Sequence, residues 1–468
     1  MNPLLFVIIK IWQKLANRFM PWHTIGQNIA TTQCSPADSP GNLAMGLTLL
    51  NSEKATFSGP FQYNSVIREI VKLTLMKLQL TTFRALLMVG LWLTAFVSQA
   101  NAPKAEIRFE IKNGHMHFNM AVNGNQGLHF IFDTGARMSL LHDESAKKLG
   151  VKTSGRQTVQ GASGTTTIAR APGQKATVGG IALDRVTFLV MDVGHLQDED
   201  TPLDGVIGAD ILNLFVVEID YDDSVIRLYD RKGFDAPAGW YKQNMSLQTY
   251  GVPIIAASLN LPNGKSLEGP YLVDTGAAVT LKLNTPFVNK NELIDELGKH
   301  YSYTARALSA EATDEVSRLP GYTVFGHEFN DISVRLSQGR GGVSGHANVN
   351  GILGLSILKR FNTIYDYYNQ VMYVTPSQYY KEAFRFNYSG LKVEKENNVF
   401  RVEVVYENSS AEAAQLQVGD LITQLDGKAK FTRLEFYDYF QKAGKTVTVS
   451  FTRNGKEMTA SLTPKSML

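Results

Sequence analysis

Cysteine is almost missing from this chain of 468 residues: there is one, Cys34. That excludes a disulfide framework, and with it any small fold held by cross-links instead of a hydrophobic core. Charge of one sign is equally scarce. Lys and Arg number 46 against 43 Asp and Glu, a formal net charge of +3. No basic stripe interleaved with aromatics runs along the chain, so a nucleic-acid partner is not expected. Long apolar runs are few as well. The strongest, Ala85–Val97, falls well short of the roughly 20 residues that a membrane-spanning helix needs. What remains is an ordinary globular composition, 44% apolar and 19% charged, over a length that suggests about two to four domains.

The apolar run has a second reading. Lys77 and Arg84 precede it, and small residues follow as Ser98-Gln99-Ala100 and Ala100-Asn101-Ala102. A basic, then apolar, then small-residue order is that of a secretory signal peptide, expected here over 76–102 with cleavage after Ala100 or Ala102. The segment 1–75 is then a doubtful extension upstream of a start at Met76, because Asn28–Ser65 carries no sustained helical or strand period. The expected product is exported, periplasmic or secreted, with no stable membrane span. Cys34 would be absent from it.

Two copies of Asp-Thr-Gly-Ala, at Asp133–Ala136 and Asp274–Ala277, dominate the rest of the sequence. Each ends an apolar run, Leu128–Phe132 in one case and Tyr271–Val273 in the other. A carboxylate carried by a buried strand into a turn must find donors or share a proton, since an unpaired buried charge is costly. Gly205-Val206-Ile207-Gly208 follows the first Asp, and Gly351-Ile352-Leu353-Gly354 follows the second. From there Ile211, Leu212, Phe215, Asp220, Tyr221 and Val225 match Ile357, Leu358, Phe361, Asp366, Tyr367 and Val371 without a gap. Self-similarity at so long a period indicates two copies of one lobe-sized unit. One Asp-Thr-Gly alone is an ordinary surface turn; two, each with its apolar-apolar-Gly partner, are not.

The paired motifs resemble the pepsin/retropepsin superfamily of aspartic proteases, in a fused single-chain form, over about residues 104–380. Ala136 and Ala277 follow the retroviral version of the loop. The resemblance implies a mainly β, two-lobed fold, 104–236 and 245–380, with Phe234–Trp240 between them. It implies that Asp133 and Asp274 form a catalytic pair and that no cofactor takes part. Thr134, Gly135, Thr275 and Gly276 would support the loops, the threonines by bonding across the interface and the glycines by admitting the backbone close to the carboxylates. Gly161, Ala162, Ser163 and Gly164 lie between two alternating runs where such proteins carry a flap, and glycine suits a hinge there. An ordinary hairpin turn stays an alternative reading of that segment.

Local patterns fill in the lobes. Ile107–Ile111 and His117–Val122 alternate as strands, Asn113-Gly114 and Asn123-Gly124 are turn dipeptides, and short helices are expected at Ser145–Leu149 and Lys290–Leu297. A third unit spans 384–464. Its run Asn408–Asp420 resembles that of a bacterial protease-associated PDZ domain, an α+β module, with Tyr388, Ser389, Gly390 and Leu391 in the place of the carboxylate-binding loop. Such a groove takes an extended peptide by strand addition, so C-terminal peptides are expected partners. Helices are expected at Ser410–Leu416 and Arg433–Lys442.

His115 and His117 share a strand face, but no carboxylate or cysteine spacing supports a metal site. The runs Gly161–Gly164 and Gly342–Gly345 fall short of a serine-nucleophile elbow. Three functions stay open at this point: an exported aspartic endopeptidase acting on peptides or proteins, an idle peptide-binding or scaffold protein using the same cleft and groove, and an intracellular peptide-processing enzyme.

Overall fold

The computed structural model describes residues 102–161, 164–197, 202–306, 311–441 and 444–468, together with Lys72 and Met76. The expected extension 1–75 and signal peptide 76–102 therefore lie outside the described residues, except for Lys72, Met76 and Ala102. The chain is mainly β.

Lobe one runs through β1 (Ala105–Arg108), β2 (Glu110–Lys112), β3 (His115–Val122), β4 (Asn125–Phe132), β5 (Leu140–His142), α1 (Asp143–Lys148), β6 (Arg156–Gln160), β7 (Thr165–Val178), β8 (Ile181–Met191), β9 (Gly205–Ile207), α2 (Ala209–Leu212), β10 (Val216–Asp220) and β11 (Val225–Tyr229). After β12 (Tyr241–Asn244), lobe two repeats the plan. It comprises β13 (Ile254–Asn260), β14 (Ser266–Val273), β15 (Leu281–Leu283), α3 (Thr285–Lys290), α4 (Leu293–Leu297), β16 (His300–Arg306), β17 (Glu311–Val324), β18 (His327–Ser337), β19 (Gly351–Leu353), α5 (Leu355–Leu358), β20 (Phe361–Asp366) and β21 (Val371–Pro376).

The repeat recurs in the pairing that carries each Asp. In lobe one β4 lies parallel to β9, with Ile131 opposite Val206, and in lobe two β14 lies parallel to β19, with Leu272 opposite Ile352. Each motif Asp follows its strand directly, and its N–H donates to the second strand: Asp133 to Ile207 and Asp274 to Leu353. The two Asp turns are thus held by one parallel ladder each.

A further sheet joins the lobes, in the order β1-β11-β10-β20-β21-β12. Its centre is the antiparallel pair β10–β20, one strand from each lobe. One apolar core runs through both lobes and includes Tyr221, Tyr365 and Phe361.

Some local expectations need correction. Ile107–Ile111 is not one strand: Phe109 is buried where the chain leaves the joining sheet (β1) and enters the lobe-one sheet (β2). Lys290–Leu297 is not one helix either. Glu292 takes a left-handed φ of +50° between α3 and α4, which no helix interior tolerates. The expected helix at Ser145–Leu149 begins two residues earlier, at Asp143, whose carboxylate sits in the first turn where the helix dipole favours it. Asn113-Gly114 and Asn123-Gly124 do turn, with positive φ at all four residues, as tight hairpins require.

The C-terminal unit has its own sheet, β22 (Leu391–Glu396), β23 (Val399–Val405), β24 (Leu421–Leu425), β25 (Val447–Arg453) and β26 (Lys456–Leu462), in that order. It also has α6 (Ser410–Ala413) and α7 (Arg433–Tyr439), both shorter than expected. Thr432 and Glu435 form a capping box that starts α7. Phe400, Phe436, Phe440 and Val449 belong to a core separate from that of the lobes, the mark of an independent module.

Candidate active site

Asp133 and Asp274 line a cavity of about 1600 Å³ that lies between the lobes and continues to Leu391–Glu394 and Tyr437 of the C-terminal unit. What holds them there is a reciprocal set of bonds between the threonines that follow them. Thr134 Oγ1 accepts from the Thr275 N–H at 3.1 Å and donates to the Val273 carbonyl at 2.9 Å. Thr275 Oγ1 accepts from the Thr134 N–H at 3.0 Å and donates to the Phe132 carbonyl at 3.0 Å. Both threonines are fully buried. Each hydroxyl therefore satisfies a backbone donor and a backbone acceptor of the other lobe, where no water can.

The glycines have an equally direct reason. A Cβ on Gly135 would lie 2.4 Å from the Asp274 carboxyl carbon, and one on Gly276 would lie 2.4 Å from that of Asp133. Each glycine is the surface against which the other lobe's carboxyl packs. Any side chain there would drive the pair apart.

Backbone N–H groups serve both carboxyls, those of Gly276 and Ala277 at Asp274. Asp133 Oδ1 accepts from the N–H groups of Gly135 at 2.7 Å and Ala136 at 2.9 Å. Asp274 Oδ1 is closed off from solvent without a partner. Surrounding protein pushes the pKa of both carboxyls upward. For Asp274 the charge of Asp133 adds to that push, which carries it well above the ordinary carboxylate range. Two groups that close, both resisting ionisation, hold one proton between them across a wide pH range.

The hairpin of β6 and β7 lines this cavity too. Gly161 N–H donates to the Gly164 carbonyl at 2.8 Å, which narrows the turn; Ala162 and Ser163 lie outside the described residues. Gly161 also accepts from the Val343 N–H of lobe two at 3.0 Å. The hairpin expected as a flap therefore reaches across to the opposite lobe.

Residues 118–211 match the aspartyl protease family, and residues 388–463 match the PDZ domain. The chain carries an aspartyl protease domain and a C-terminal PDZ domain. No curated protein matches the chain. The family match spans Asp133 and its Gly205–Gly208 strand; the second Asp, in lobe two, enters through the internal repeat and the geometry above.

In the PDZ domain β22 is an edge strand with α7 alongside, and the Val393 N–H donates to the Tyr437 hydroxyl at 3.2 Å. The loop expected to bind a carboxylate has donors already engaged. Gly390 N–H goes to Asn387 Oδ1 at 3.1 Å and Leu391 N–H to Ser389 Oγ at 3.2 Å. The Tyr388 carbonyl accepts from the Lys465 N–H, so the chain's C-terminal segment packs beside the loop.

Three features escaped the sequence reading. Lobe two has its own hairpin, β16 with β17, in the place that β6 with β7 takes in lobe one; the alternation of His300–Arg306 was the available signal. Tyr301 of that hairpin packs on Tyr406 of the PDZ domain, ring centroids 4.7 Å apart. Ser139 and Asp210 form a support behind the first loop: Asp210 Oδ1 accepts both the N–H and the hydroxyl of Ser139, and Ser139 Oγ accepts from the Gly208 N–H. Among the described residues His142, Asp143 and Asp192 group as possible metal ligands, and His117 is instead bonded to His129 at 2.8 Å. No helix of the described residues is long and apolar enough to cross a membrane.

Proposed function

We propose that the protein is an aspartic endopeptidase whose PDZ domain binds peptide segments of its substrates. The observation that carries this reading is the reciprocal packing of Asp133 and Asp274, each carboxyl against the other loop's glycine and both raised toward a shared proton. A scaffold that only held peptides would have no use for two like-charged groups pressed together, since their repulsion and desolvation work against folding.

The chemistry follows from that shared proton. We place the charge on Asp133 and the proton on Asp274, because the Asp133 charge adds to the burial that raises Asp274. Asp133 takes a proton from a water molecule as that water attacks the peptide carbonyl. Asp274 donates its proton to the carbonyl oxygen as the tetrahedral intermediate forms. The proton gained by Asp133 then passes to the leaving amine, a hydroxyl of the intermediate returns its proton to Asp274, and the C–N bond breaks as the carbonyl re-forms. No cofactor enters any step. The β6–β7 hairpin, bonded to Val343, covers the substrate and keeps bulk water out.

Export to the periplasm or the medium is part of the proposal and rests on the basic, apolar and small-residue segment at 76–102. Peptide-library cleavage by the wild type, Asp133→Asn and Asp274→Asn tests the activity. Either substitution should abolish turnover while leaving the fold intact. Substantial cleavage by one of them would mean that the two lobes do not share a site.

A further inference from the structure

The two walls of the cleft are built alike and coloured differently. In lobe one Leu140 lies opposite Val206 and Leu189, and Leu189 lies opposite Arg170. In lobe two Lys282 lies opposite Ile352 and Arg335, and Arg335 lies opposite Val316. Two residues before Arg170 is Ile168; two before Val316 is Asp314. Leu140, Leu189 and Ile168 therefore correspond to Lys282, Arg335 and Asp314. The first three are buried in one apolar cluster with Val206.

The lobe-two trio lines the same cleft as the catalytic pair. Lys282 Nζ stands 3.0 Å from Asp314 Oδ2, both side chains nearly sealed from solvent. Asp314 Oδ1 has no partner. The Arg335 guanidinium lies 4.4 Å from the Tyr303 ring centroid, and no carboxylate pairs with it among the described residues. Buried ion pairs are a poor source of stability, because desolvation offsets their attraction. Lobe one shows that apolar residues serve this architecture at the same three positions. The fold therefore does not require these charges. With Lys282 and Asp314 neutralising each other, Arg335 leaves the wall one positive charge in excess.

We propose that this wall is a subsite for a carboxylate: Arg335 determines specificity for an acidic group on one side of the scissile bond, while the lobe-one wall accepts an apolar side chain on the other. Lys282, held by Asp314, adds to the field. The inference rests on the cleft binding peptides, as proposed above. The carboxylate has two sources, an internal Asp or Glu side chain or a chain end, and the planar guanidinium suits either.

The test uses the full chain and peptides that differ only at the residue beside the scissile bond: Glu, Gln or Lys with both ends blocked, and a shorter peptide ending there as a free acid or an amide. Binding is read by fluorescence anisotropy on Asp133→Asn, and turnover as kcat/KM on the wild type. A preference of about tenfold or more for Glu over Gln, or for free acid over amide, is expected from a charge-assisted bond against a neutral one; which pair shows it names the source. Arg335→Gln should bring that ratio close to one by weakening the Glu or free-acid peptide far more than its neutral counterpart, which a merely structural role would not do. Equal handling of Glu and Gln together with equal handling of acid and amide would overturn the inference, as would a preference for Lys or an Arg335→Gln that weakens every peptide alike. If the wild type cleaves nothing, the endopeptidase reading fails, and the anisotropy ratios still decide the subsite.

Discussion

Replacing Thr275 by valine keeps the shape of the side chain and removes its hydroxyl. Two buried backbone groups then lose their only partner from that position: the Thr134 N–H and the Phe132 carbonyl, each now 3.0 Å from Thr275 Oγ1. A buried group left unpaired costs about 1–3 kcal/mol, so the pair should cost roughly 2–6 kcal/mol. Whole-domain stability is usually only about 5–15 kcal/mol, so the lobes should come apart well before the wild type unfolds. Thr275→Ser is the control. It keeps both bonds and loses one buried methyl, about 1 kcal/mol. Thr134→Val should behave like Thr275→Val, because it strands the Thr275 N–H and the Val273 carbonyl in the mirrored way. Urea unfolding of Thr275→Val, Thr134→Val, Thr275→Ser and Thr134→Ser, with kcat/KM under native conditions, measures this. Valine variants within about 0.5 kcal/mol of the wild type, or serine variants as unstable as the valine ones, would refute the reasoning.

That grip also marks how far the sequence could be read. Asp133, Thr134 and Gly135 recur as Asp274, Thr275 and Gly276, and an apolar strand before each and an apolar-apolar-Gly strand after each are local patterns. A repeat of that kind announces a paired site without naming a single contact. Which atoms the threonines reach depends on a pairing across the lobes that no local period encodes. The joining sheet was invisible for the same reason: nothing in Val216–Asp220 names Phe361–Asp366 as its neighbour. The failures in the local reading are of another kind. Phe109 alternates in phase with its neighbours although the backbone changes sheets there, and Glu292 is a good helix former forced into a left-handed turn between α3 and α4. In both places tertiary packing overrides a correct local preference. Lys282, Asp314 and Arg335 drew no notice because isolated charges in alternating strands normally face solvent; only the register shows them turned inward.

Three other outcomes are expected. Burial raises both dyad carboxyls, and a group with a higher pKa folded than unfolded favours the fold below its unfolded value, about 3.9 for Asp, and loses that advantage as pH rises through the folded one. The melting temperature of the wild type should therefore fall across this range relative to the neutral Asp274→Asn, and parallel curves for the two proteins would rule it out. Ala136→Ser combined with Ala277→Ser adds a hydroxyl donor beside each carboxylate, which favours the ionised form, so the acidic limb of the kcat/KM profile should move to lower pH; an unmoved limb would mean that the N–H donors already at Asp133 suffice. The last outcome concerns the PDZ loop, where Gly390 and Leu391 N–H groups now donate to the side chains of Asn387 and Ser389. A peptide's terminal carboxylate must displace those neutral acceptors, and a bond to a charged acceptor is about twice as strong as one to a neutral acceptor, so the exchange favours the peptide only when its end is ionised. Calorimetry with hydrophobic C-terminal peptides should accordingly show binding by the free acid and little by the amide, whereas equal binding would place the peptide on the β22 edge without any part for the loop.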